Sequence, residues 1–352
     1  MKGTKSMANR ITWIDACKGI GIFLVIIGHT TLVSTPRLHI YSFHMPMFFF
    51  LSGFLFSSKN NFKEFVFSKV KSLLVPYFAF AVISFLLFSY YQNQPIDINK
   101  FLVSTLESKR NFIYYNDPLW FLTSLFLIEI IFYFIVKFVK NKFTILLVVL
   151  IVSFLAFSEL GATSGARILP WSLDQSLYYI VYFGIGYLIR YMQWFDKNLK
   201  KSIVLMGISS LYIWLIVDST LYQKLWGFLH LPSVVQGYLS GIIWAALAIS
   251  FVIYLSLFLS FSPVINFVGK NSLTLMVLHL SMAINIFNTH FREGLYLEHH
   301  PNILALFITC FSIFMLIPVS FIINNIFPFL LGKNYKWNLS KLNKKEVNFH
   351  SH

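Results

Sequence analysis

Residues 14–29 read IDACKGIGIFLVIIGH, and this stretch decides what kind of protein the chain makes. Eleven of its residues are aliphatic or glycine, yet it carries Asp15, Lys18 and His29 within an apolar run. On a helix, Lys18 and His29 are eleven residues apart, so at 100° per residue they fall within about 20° of each other. Asp15 falls within about 40° of His29 on the same face. The stripe Asp15, Lys18, Ile22, Val25, His29 therefore runs along one side of a helix, roughly 16 Å from Lys18 to His29. Ionisable groups in a membrane span cost about 2.5–3.5 kcal/mol each to insert and mark functional positions by default. The start of the chain does not read as a cleavable signal peptide: the apolar run begins late, holds two charges and has no small-residue cleavage site after it.

The rest of the chain repeats the apolar pattern. Of 352 residues, 57% are hydrophobic and 12% charged, with 40 phenylalanines, against about 45–50% apolar and 25% charged in soluble domains. The excess is spread as long runs, which makes this an all-α polytopic membrane protein. We expect about ten transmembrane helices, near 12–34, 40–57, 73–91, 118–140, 143–160, 175–191, 202–220, 237–260, 271–290 and 302–331. The last contains Pro318 and Pro328 and is expected to kink or break. No repeat of fixed period and no low-complexity segment is visible.

A net charge of +15 raises nucleic acid as a partner, but the basic residues sit in short clusters between apolar runs rather than on one soluble face. With both termini cytoplasmic, twenty of the 28 lysines and arginines fall in inner segments, seven in outer ones, and Lys18 lies inside the first span. That asymmetry follows the positive-inside rule. Residues 61–74 read as an amphipathic helix on the inner surface. The polar loop 92–117 is long enough to fold over the outer mouth. Residues 1–332 then form one membrane domain, and 333–352 a basic, disordered cytoplasmic tail.

The polar groups expected inside the bilayer are Asp15, Lys18, His29, His44, Glu129, Asp218 and His279. His29 and His44 are equally far from the midpoint of the hairpin, near Pro36, so a symmetric hairpin sets the two imidazoles at similar depth near the outer leaflet. Paired histidines there can serve as a general base; the plain alternative is that each bonds a backbone carbonyl or a serine in a neighbouring helix. Glu129 needs a partner, Lys18 or a histidine, and a structural ion pair is as good a reading as catalysis. His279 divides between lining a cavity and packing. Asp218 reads as solvated. His299 and His300 lack a third ligand at metal-binding spacing, so no metal is expected. Cys17 and Cys310 suggest neither a disulfide nor zinc.

Five stretches together carry a resemblance: IDACKGIGIFLVIIGH, then FHMPMFFFLSGFLF (43–56), LLVPYF (73–78), PLWFL (118–122) and VGKNSLTLMVLH (268–279). In order and position they resemble the bacterial integral-membrane acyltransferase family 3, whose members O-acylate sugars of surface polysaccharides. The second motif looks most like the branch of sugar and exopolysaccharide O-acetyltransferases. The resemblance implies acetyl-CoA as cytosolic donor, a lipid-linked or exported glycan as acceptor, and a place in the bacterial cytoplasmic membrane. His29 matches the family's essential histidine. Lys18 matches a position that is usually arginine, a departure that exchanges a bidentate phosphate clamp for a point charge. His44, Trp120 and His279 match other recurrent positions.

These readings give His29, His44 and Glu129 as catalytic candidates. Lys18, Asp15, Lys69, Lys71 and Arg190 become donor-binding candidates, with the pantetheine arm running up the stripe. Trp120 and His279 are acceptor-side candidates; a Trp at a helix end is more commonly an interfacial belt residue. Direct attack by a sugar hydroxyl and relay through an acylated histidine both remain open. The rival class is a polytopic transporter or glycan-export protein without catalysis, against which the lack of repeat symmetry weighs; transfer of another acyl group, such as succinyl, is a further variant. The sequence leaves the oligomeric state and the acceptor open.

Overall fold

The computed structural model describes residues 12–58, 61–93, 95–191, 199–217, 231–292 and 299–334. Asp218 and the tail beyond Asn334, with His350 and His352, lie outside the described residues. Every regular element described is helical, and a helix satisfies its backbone groups within its own segment where there is no water to bond. Each of the ten expected spans falls on a helix. These are α1 (Thr12–Gly28), α2 (Ser34–Leu55), α3 (Phe62–Tyr91), α5 (Trp120–Phe138), α6 (Lys142–Ser158), α7 (Leu173–Tyr191), α8 (Leu199–Val217), α9 (Ser233–Leu259), α11 (Ser272–His290) and α12 (Pro301–Asn325), with α4 (Ile98–Glu107) and α10 (Pro263–Lys270) between them. Six described helices are long and apolar enough to cross a membrane: α2, α3, α5 with its preceding turn, α9, α11 and α12. The other four expected spans form shorter or less apolar helices, α1 and α6 having 17 residues each.

The boundaries depart from expectation in three places. The amphipathic helix 61–74 and the span after it are one helix of 30 residues, α3, joined through a π-turn at Val70–Leu74. At 1.5 Å per residue it is about 45 Å long, more than a hydrocarbon core of about 30 Å, so its first turns lie outside the core. Asn61 caps it by accepting from the Glu64 amide at 2.9 Å. Second, α2 begins at Ser34, so Pro36 lies in its first turn, where a missing N–H costs nothing. Third, α12 runs through Pro318 and ends at Asn325, before Pro328.

Glycines bring two helix pairs to backbone contact, the means by which helices associate in lipid. A Cβ at Gly53 would sit 1.9 Å from the Phe183 carbonyl oxygen, and one at Gly186 2.1 Å from that of Phe50, which fixes α2 against α7. A Cβ at Gly269 would lie 1.7 Å from the Asp15 carbonyl oxygen, which seats α10 on α1. Further along, Gly21 accommodates Met47 and Phe48, and Gly28 accommodates Tyr41, so α2 runs antiparallel over α1. The bundle thus has a proximal end, where α1 begins, and a distal end, where α1 stops. Lys69, Lys71, Arg190, Lys270 and Lys333 cluster proximally, through contacts of Arg190 with the end of α2, Lys71 with Asn334, and Lys333 with Asn324 at 2.6 Å.

Candidate active site

α1 stays helical to its last residues, and the His29 amide still bonds the Ile26 carbonyl at 3.0 Å. Its imidazole therefore leaves the helix at the distal end. There it opens on a cavity of about 200 Å³ lined by Val25, His29, Tyr41, His44, Met45, Phe48, Arg110, Asn111, Asp117, Pro118, Trp120, Phe121, Tyr179 and Met276. Three sequence candidates, His29, His44 and Trp120, meet here. The loop 92–117 does close over this end, through Arg110, Asn111 and Asp117.

The three histidines are held differently. His44 is buried, and its Nδ1–H donates to the Ile40 carbonyl at 2.8 Å, leaving Nε2 as the acceptor in the neutral ring. His279 is fully buried; its Nδ1–H donates to the Met276 and Leu275 carbonyls at 2.8 and 3.2 Å, and its Nε2 has no hydrogen-bond partner. It opens a π-turn, His279–Ile284, of the kind frequent at functional sites. The His29 ring makes no hydrogen bond among the described residues, and it lies with its centroid 5.2 Å from that of His279. His29 alone of the three is thus unanchored, half-buried and open to the cavity.

The expected face-to-face pairing of His29 with His44 is corrected by the helix register. Gly28 sits against Tyr41 and Gly21 against Phe48, which places His44 level with Val25, one turn or about 6 Å deeper than His29. The error came from centring the hairpin on Pro36. Tyr41 fills the interval, its ring 6.1 Å from His29 and 5.2 Å from His44, and its hydroxyl donates to the Gly28 carbonyl at 2.7 Å. The nearest imidazole to His29 among the described residues is His279, which does not itself line the cavity.

Glu129 goes elsewhere. Its carboxylate pairs with Lys69 at 2.7 Å, not with Lys18 or a histidine. It lies nine residues along α5 from Trp120, about 13 Å, and outside the cavity lining. Its placement is that of a structural ion pair. Donor-binding candidates have partners as well: Lys69 holds Glu129, Lys71 donates to Asn334, and Arg190 donates to the Phe54 and Phe56 carbonyls at the end of α2 at 3.3 and 3.2 Å. Asp15 is buried and Lys18 half-buried at the proximal end. The stripe between them and His29 is covered: the cavity reaches Val25, and Ile22 below it is fully buried. Trp120 lines the cavity within an aromatic wall, stacked with Tyr179 at 6.2 Å.

The sequence reading missed Tyr41, Arg110, Asn111, Asp117 and Tyr179. The signal for three of them was present: Arg110, Asn111 and Asp117 crowd polar groups into the loop just before PLWFL. Tyr41 and Tyr179 carry no such signal, since tyrosines are scattered through the chain.

A family model described as an acyltransferase domain, that of the acyltransferase 3 family, matches residues 11–325. The chain belongs to the acyltransferase 3 family. It is an acyltransferase and a multi-pass membrane protein. No curated protein and no solved structure gives a match.

Proposed function

We propose that this acyltransferase moves an acetyl group from acetyl-CoA to a hydroxyl of a sugar in an exported or surface polysaccharide, with His29 as the base. The observation that carries the reading is the state of the three imidazoles. His44 and His279 each commit Nδ1–H to a backbone carbonyl and lie deeper, His279 outside the cavity lining, whereas His29 stands at the distal end with neither ring nitrogen bonded among the described residues and faces a cavity with an aromatic wall. A general base must be free to take a proton within hydrogen-bond reach of its substrate.

In this scheme His29 removes the proton of the acceptor hydroxyl as its oxygen attacks the thioester carbonyl. The tetrahedral intermediate then collapses, the C–S bond breaks, and the proton on His29 passes to the departing CoA sulfur. His279, through its unpartnered Nε2, orients the His29 ring, as the third member of a triad orients its base. The proximal end faces the cytosol, as its cluster of basic residues supports. The donor enters there with a phosphate on Lys18, and the acceptor reaches the distal cavity from outside.

The test is His29→Ala in a strain lacking the chromosomal copy, with acetyl signals of the envelope glycans read by NMR. Transfer should fall by about 10²–10⁴-fold, the usual worth of a general base, with the protein still folded in the membrane. Acetylation at the wild-type level would refute the role of His29, and a gene deletion that changes no glycan would refute the sugar acceptor.

A further inference from the structure

Beside His29, the cavity rim holds two charged side chains that the transfer scheme does not use. The guanidinium of Arg110 is half-buried and makes no hydrogen bond or ion pair among the described residues. Asp117 accepts from the Asn111 amide at 2.5 Å through Oδ1, and its Oδ2 has no partner among them. The two line the same cavity without forming an ion pair with each other.

The rim is built to hold them still. Ser108, Asn111 and Ser172 all have positive φ, at 46°, 66° and 49°, a conformation uncommon for residues other than glycine. Hydrogen bonds hold the three in place. The Ser108 hydroxyl bonds that of Thr123 at 2.7 Å, the Ser172 hydroxyl donates to the Ser108 carbonyl at 2.9 Å, and the Arg110 amide donates back to the Ser172 hydroxyl at 3.0 Å. Strained backbone that its surroundings hold in place is a feature of ligand clamps. Behind the rim, Asn116 bonds Ser84 at 2.8 Å and the Val277 carbonyl at 2.7 Å, tying the loop to the helix that carries His279.

We propose that Arg110 and Asp117 form a subsite that reads adjacent hydroxyls of one neutral sugar ring and presents a third hydroxyl to His29. The inference rests on the sugar-acetylation reading and adds the charge class and size of the acceptor. A carboxylate or phosphate would gain Arg110 but face Asp117, and an ammonium would meet the reverse. A hydroxyl group both donates and accepts, so a polyol satisfies both side chains at once. Trp120, Phe121 and Tyr179 supply the apolar wall for the C–H face of a ring. A volume of about 200 Å³ lies below the roughly 300–1,000 Å³ of ordinary ligand pockets, which suits one ring rather than a chain of them.

The experiment uses purified full-length protein, acetyl-CoA and four acceptor probes: methyl glucoside, methyl galactoside, methyl mannoside and methyl glucuronide. Acetyl-ester formation is followed by mass spectrometry for wild type, Arg110→Gln and Asp117→Asn, with thermal melting as the control on folding. At least one neutral glycoside should be acetylated. Both variants should raise its KM by about tenfold or more, as expected for the loss of a charge-assisted hydrogen bond, with kcat changed little. Wild type should disfavour the glucuronide by a similar factor, and Asp117→Asn should narrow that gap. A preference for the glucuronide, unchanged KM in both variants, or no acetylation of any probe by an enzyme that acetylates its own envelope glycan would each overturn the subsite. If acetyl-CoA is consumed with neither probes nor envelope glycan, the underlying reading fails and takes this inference with it.

Discussion

The pair Lys69–Glu129 separates a catalytic from a structural role for the acidic residue of α5. At 2.7 Å and an effective dielectric near 20, the gross attraction is about 6 kcal/mol. Most of that is offset by desolvating the two groups, so the pair as a whole contributes close to nothing relative to an apolar pair of similar shape. Breaking it from one side is different, because it strands a buried charge, which costs about 3–5 kcal/mol when burial is complete. Glu129 is 7% exposed and Lys69 23%, so the stranded lysine reaches some polar surroundings and the cost of Glu129→Leu should be nearer 2–3 kcal/mol. At about 2 °C per kcal/mol for a chain of this size, the melting midpoint in detergent should fall by about 5 °C. The double variant Lys69→Met/Glu129→Leu should recover to within about 1 kcal/mol of wild type. Transfer activity, normalised to folded protein, should survive in the double variant, because Glu129 lies about 13 Å from Trp120 along the helix. The reasoning is refuted if Glu129→Leu melts like wild type yet cannot transfer, or if the double variant folds but is inactive.

Other expectations follow from single positions. Gly53→Val drives a side chain into the Phe183 carbonyl and should cost at least about 1–3 kcal/mol or prevent folding. Gly207→Ala, where nothing lies within 4 Å, should raise the melting midpoint slightly, because Ala is the better helix former by about 0.8–1 kcal/mol; equal effects at the two sites in melting assays would contradict the packing. Lys18→Arg should keep activity and Lys18→Ala should chiefly raise the KM for acetyl-CoA; a kcat loss with unchanged KM would remove Lys18 from donor binding. His279→Leu should lower kcat by at least about tenfold with donor KM unchanged, and a variant as active as wild type would end its role as the orienting partner of His29.

The helices were legible in the sequence because apolar runs of bilayer length leave few alternatives. Their joints were less so. The π-turn at Val70–Leu74 lets an amphipathic helix turn its face and continue into a span, so a change in periodicity that reads as a break is an inserted residue. At the site, His29 was legible from its place on the stripe of α1, and His44 and Trp120 from their motifs. Which histidine meets His29 was not, because that depends on the register between α1 and α2, set by Tyr41 over Gly28 and Phe48 over Gly21. The basic residues of the proximal end were legible as charges. Their partners were not: the Glu129 carboxylate, the Asn334 side chain and the carbonyls at the end of α2 become neighbours only when the chain folds.

The same register bears on how two substrates could meet. Lys18 and His29 share a face of α1, yet α2 covers that face between them. Met47 and Phe48 sit over Gly21, the Cys17 thiol lies 3.7 Å from the Met47 sulfur, and Met47 and Ile22 are fully buried. A donor arm reaching the distal cavity along the stripe must therefore displace side chains rather than enter an open tunnel. Met47 suits that task better than its neighbours, since an unbranched thioether changes rotamer more readily than a phenylalanine ring. The tight contacts that hold α2 lie on its other face, at Gly53 and Phe50 against α7. A side chain on the α1-facing side can thus move while the helix that carries His44 stays in register.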